Sequence, residues 1–144
     1  MTTADLAGLH HWRRDPWLWL GLVVACVAMI VPLWTPELLP FMDLPQHLAT
    51  IRILHSLEDP GFGMAGLYEV DFSATQYLAY YLAVDLLSGA MDLETANRAV
   101  LSLYVVALPL SVAYYLRGFG RDPALAILAA PLAYNTYLFM GFAN

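Results

Sequence analysis

The sequence predicts an all-α, polytopic membrane protein of about four transmembrane helices, with an amphipathic interfacial helix in the first outer loop. Three observations carry this reading. The 144-residue chain is 60% hydrophobic and 12% charged, whereas a soluble domain has roughly 25% charged and 45–50% apolar residues. Its apolar runs lack the alternation of barrel strands, and backbone groups in hydrocarbon must be paired within the segment, so the spans are helical. An acidic segment, Glu37 to Asp71, interrupts the apolar runs and holds six of the twelve acidic residues with a single cation, Arg52.

Residues 1–15 read as a polar tail, with His10-His11 and Arg13-Arg14 close to a membrane surface. The first span covers residues 17–35. Trp12, Trp17 and Trp19 fit an interfacial aromatic belt at one end of it and Trp34 marks the other, a separation that matches one bilayer crossing. Only Pro32, Pro36 and Pro40 follow, with no small-x-small cleavage site, so the run reads as an uncleaved helix. Arg13 and Arg14 place the N-terminus in the cytoplasm and residues 36–73 outside the cell membrane, the inner membrane of the cell. The lone Cys26 falls within this span and packs as a small apolar residue.

Within the loop, Leu44, Leu48, Ile51, Leu54 and Leu57 recur at helical spacing, with His47, Thr50, Arg52 and His55 largely off that stripe. The pattern predicts an amphipathic helix over residues 44–58, too polar to cross and suited to the interface plane. Pro60-Gly61-Phe62-Gly63 ends it. Residues 74–91 form the second span, 99–116 the third around Pro109, and 124–142 the fourth. A polar turn, Asp92 to Arg98, joins the second to the third, and Arg117 to Pro123 joins the third to the fourth. The arginines divide three and three between the two sides, so orientation rests on the first helix. No repeat or soluble domain interrupts this single membrane domain.

With no lysine and a net charge of −6, the chain is no nucleic-acid binder, since phosphate neutralisation needs clustered cations. Asp43 and His47, four residues apart, would share one helix face and could hold a divalent cation or orient an acceptor hydroxyl. Asp43 with Gln46 three residues on, and Pro45 in the first turn, is equally a capping-box start. In the second span, Tyr77, Tyr81 and Asp85 form an i, i+4, i+8 stripe, readable as a hydrogen-bonded network or as a substrate or proton path. Arg98, beside the start of the third span, could bind a lipid phosphate or pair with Asp92 or Glu94.

Several stretches also match a known pattern in order: Asp43 early in a long outer loop, Gln76-Tyr-Leu-Ala-Tyr80-Tyr81-Leu opening the second helix, Leu93-Glu94-Thr-Ala-Asn97-Arg98-Ala99 before the third, and Tyr115-Leu-Arg117-Gly-Phe-Gly-Arg121 before the fourth. Together they resemble the integral-membrane C-type glycosyltransferases that use polyprenyl-phosphate sugars, including protein mannosyltransferases and aminoarabinose transferases. Ser73-Ala-Thr75 stands where that family has prolines, and the family continues with further helices beyond the point corresponding to Asn144. The resemblance implies a catalytic base at Asp43, with substrate or metal contacts from His47, Arg52 and Arg98. It also implies a polyprenyl-phosphate sugar as donor. The chain is then expected to be the N-terminal part of a longer transferase. The alternative is a truncated relative serving as a non-catalytic subunit beside other membrane proteins, with lipids as its remaining partners.

Overall fold

A computed structural model describes residues 15–71 and 77–141. The tail bearing His10, His11, Trp12, Arg13 and Arg14, the stretch Ser73 to Gln76, and Phe142 lie outside the described residues. Among the described residues all regular structure is helical: α1 (Pro16–Trp34), α2 (Leu44–His55), α3 (Leu78–Ser88), α4 (Leu93–Gly118), a 3-10 segment (Pro123–Ala133) and α5 (Thr136–Met140). Three stretches are long and apolar enough to cross a bilayer, namely α1, α4 and Pro123–Met140. The chain is thus an all-α membrane protein.

α1 starts where the sequence supplies both a cap and a preset backbone. The Asp15 carboxylate accepts the Trp17 and Leu18 N–H groups at 3.0 and 3.3 Å, and Pro16 occupies the first turn, where its missing N–H costs nothing. Val23, Val24, Val27 and Val31 are exposed along the helix. In water they would form a large apolar patch, whereas lipid accommodates them.

The expected second span, residues 74–91, is represented by α3, an apolar helix of 11 residues. At 1.5 Å per residue it reaches about 16 Å, short of a hydrocarbon core of about 30 Å. The expected third span, 99–116, extends upstream. Asp92 Oδ1 accepts the Thr95 N–H at 2.9 Å, so the polar turn becomes the first two turns of α4, which is 26 residues long.

The expected fourth span, 124–142, is not one continuous α-helix. Eleven residues form the 3-10 segment, with Pro131 inside it. Proline has no N–H for an i→i−4 bond, and its ring clashes with the carbonyl four residues back, so an α-helix through this point is disfavoured. The segment closes on an i→i+3 bond from Tyr134 N–H to the Pro131 carbonyl at 3.1 Å. A rise of about 2.0 Å per residue carries it about 22 Å, further than the same residues reach as an α-helix. α5 then starts anew at Asn135, whose side chain accepts the Leu138 N–H at 3.1 Å.

The described residues form two compact units. The first comprises α1, α4 from Ser102 onward and the 3-10 segment. Its core is Leu18, Leu22 and Ala126, with Val112, Ala113, Leu116 and Ile127 packed against it. A Cβ at Gly21 would lie 2.7 Å from Ile127 Cδ1, so the small residue lets the two segments approach. Trp34 Nε1 donates to Ser102 Oγ at 2.9 Å, and the Tyr134 hydroxyl donates to the Met29 carbonyl at 2.6 Å. That carbonyl lies three residues before Pro32, in the turn the proline disturbs, where a neighbouring side chain compensates the helix backbone.

The second unit comprises α2, α3, α4 up to Leu101, and α5. α2 and α3 run in the same direction, because His47 meets Tyr77 and Tyr81 while His55 meets Asp85. α2 ends at His55, short of the expected 58, in turns that pass through Ser56 and Asp59. Its buried side chains are Leu44, His47 and Ile51. His47, placed by periodicity off the apolar stripe, is therefore on the packed face, three residues from Leu44 and four from Ile51. It is drawn there by the tyrosines of α3.

Candidate functional site

Asp43 stands at the N-cap position of α2, yet its side chain makes no capping hydrogen bond. The capping-box expectation is corrected here. The Asp43 backbone has φ −94° and ψ 0°, not the extended conformation from which a cap side chain folds back onto the helix N–H groups. Its carbonyl still accepts the His47 N–H at 3.1 Å, so the helix begins while the carboxylate is left out of the cap.

What holds Asp43 is backbone pairing with residues 139 and 140, far along the sequence. Met42 N–H donates to the Phe139 carbonyl at 3.0 Å and Asp43 N–H to the Met140 carbonyl at 3.3 Å. These are end carbonyls of α5, which have no partner within their own helix. Phe41 packs edge-on against Phe139 with ring centroids 5.8 Å apart. Gly141 ends α5 at φ +94°, and a Cβ there would lie 3.0–3.2 Å from the Asp43 Cβ, N and Cα. Only glycine suits both the left-handed backbone and this approach.

One turn along α2, His47 is 7% exposed and surrounded by tyrosines. Its ring centroid is 4.8 Å from that of Tyr77, 5.7 Å from Tyr81 and 6.1 Å from Tyr80. Nδ1 is hydrogen-bonded to the Tyr81 hydroxyl at 2.8 Å, whereas the buried Nε2 has no protein partner. A buried polar atom left without a partner costs about 1–3 kcal/mol. Such an atom, one turn along the helix from a carboxylate that does not cap it, is a feature to explain by function.

Behind this cage, the Tyr80 hydroxyl donates to the buried Asn97 Oδ1 at 2.7 Å, tying α3 to the start of α4. Asp85 pairs with His55 Nδ1 at 2.8 Å. The Tyr77-Tyr81-Asp85 stripe is thus the face of α3 that meets the two histidines of α2, an interhelical hydrogen-bonded network.

The remaining sequence candidates are dispersed. Arg52 is exposed, with its guanidinium carbon 5.8 Å from the Phe62 ring centroid, about two and a half turns from Asp43. Arg98 is half-buried beside Asn97 and engaged with neighbouring groups. Among the described residues no three His, Cys, Asp or Glu side chains converge as a metal site, so the divalent cation finds no three-ligand set there. No family model, curated protein or solved structure matches the chain.

Periodicity and spacing had singled out Asp43, His47, Tyr81 and Asp85. The stripe already held Tyr77, but its contact with His47 was not foreseen, nor were Tyr80 as a further partner of His47, Asn97 as the anchor of Tyr80, and Gly141 as the residue that makes room for Asp43. A glycine after a short helix is a readable C-terminal signal. Its contact with Asp43, far earlier in the sequence, has no local signature.

Proposed function

We propose that this chain carries the acceptor-activating corner of a membrane glycosyltransferase, which moves a sugar from a polyprenyl-phosphate donor to an acceptor at the outer membrane face. The observation that supports this reading is the Asp43 carboxylate, excluded from helix capping although it stands at the cap position, one turn before a buried histidine with a free ring nitrogen. In this reading Asp43 accepts the proton of the acceptor hydroxyl as that oxygen attacks the anomeric carbon. The bond from that carbon to the phosphate oxygen breaks, and the lipid phosphate leaves with the electron pair. His47 orients the acceptor, and Arg98 and Arg52 are the candidate phosphate contacts.

The test is transfer from polyprenyl-phosphate sugar in proteoliposomes. Asp43→Asn keeps the size of the side chain and removes its basicity, and should lower turnover about 10²–10⁴-fold. Unchanged turnover would remove Asp43 from the chemistry.

A second reading, a non-catalytic subunit of a larger membrane complex, draws support from Leu125 and Leu128, three apart on the 3-10 segment and 53% and 73% exposed. Side chains at that spacing align into a ridge, and such a ridge packs against a neighbouring helix as readily as against lipid. Extraction in mild detergent separates the cases. A larger assembly that co-purifies supports the subunit, and a free monomer rules it out.

A further inference from the structure

Next to the histidine cage the second unit contains a separate cavity of about 210 Å³. Ile53 and Leu54 of α2 and Leu57 in the turn after it form one wall and Leu78 of α3 the other, and Thr50 and Tyr81 also line it. Its rim is the exposed stretch Tyr68 to Asp71, which contributes the Glu69 and Asp71 carboxylates. Among the described residues no cationic side chain lines it. The volume is below the roughly 300 Å³ at which sites for drug-sized ligands begin, so a single short chain is the size that fits.

We propose that this cavity binds a small amphiphile with a short alkyl body and a primary ammonium head. The apolar walls take the alkyl chain out of water. The head meets two carboxylates at the rim, and the exposed Tyr68 ring beside them offers a cation–π contact. An ammonium offers three donors, which the carboxylate and hydroxyl oxygens on the lining can accept. A neutral head forfeits the ionic part of this recognition, and an anionic head is repelled by it. The site stands on the cavity and its charge, independently of the glycosyl-transfer reading, and is tested by binding alone.

The experiment uses the whole chain, methyl-labelled, in phosphatidylcholine nanodiscs. The Ile53 and Leu78 methyl resonances are followed during titration with n-hexylammonium, 1-hexanol or hexanoate, which share chain length and differ in charge. Saturable shifts are expected with n-hexylammonium, at a concentration about fivefold or more below that needed for the other two, as an exposed ion pair at the upper end of its range provides. Glu69→Gln combined with Asp71→Asn, both on the exposed rim, should erase the preference. Ile53→Trp, which fills the cavity, should abolish saturation. An absent saturable response to n-hexylammonium, an equal response to all three probes, or a preference that survives the double variant would each overturn the assignment.

Discussion

Gly141 controls the position of Asp43 by what it lacks. A methyl group there meets the Asp43 backbone at 3.1–3.2 Å and sits on a backbone with φ +94°. Gly141→Ala should therefore destabilise the protein by about 2 kcal/mol, combining a left-handed alanine with crowding against backbone that cannot rotate away. A lowered midpoint of thermal unfolding in detergent, with transfer activity reduced alongside it, is the expected result. An unchanged midpoint would mean that the α5 end and Asp43 are not in contact. Asp43 itself was visible in the sequence as a carboxylate at a helix start. That it would not cap was invisible, because the decision depends on backbone angles set by Phe139 and Met140, far along the chain.

Among the elements, legibility followed length and local chemistry. α1 and α4 announced themselves as long apolar runs, and their physical starts at Asp15 and Asp92 obey ordinary capping rules. The weaker readings lay where the local backbone or a tertiary partner overrode periodicity: the fourth span, with Pro131 inside it, is a 3-10 segment followed by α5, and Tyr77, Tyr80 and Tyr81 pack around His47 on the buried face of α2. The start of α4 also has a measurable acid dependence. The Thr95 hydroxyl and N–H bonded to Asp92 hold its carboxyl below the ordinary value of 3.8. The charged form is the one favoured by folding, so this contribution is fully present above that ordinary value and disappears as pH falls through the lowered one. Wild-type stability should decline below about pH 4, and Asp92→Ala should show less of that decline in pH-dependent thermal unfolding. An identical acid limb in both proteins would remove Asp92 as a source.

For the molecule as a whole, apolar exposure along α1 and the length of three stretches make it a membrane protein, while its sidedness is a matter for labelling. With Cys26→Ala as background, Glu58→Cys on the exposed turn after α2 should react with a membrane-impermeant maleimide added to intact cells. Reaction only after lysis would invert the orientation drawn from Arg13 and Arg14. The pairing of Met42 and Asp43 with the carbonyls of α5 has a further consequence in time. A ribosome delivers residues 42 and 43 long before 139 and 140, and closing so large a stretch of chain is slow. During translation the aspartate emerges without its scaffold, so any reactivity that depends on that placement stays switched off until α5 has docked.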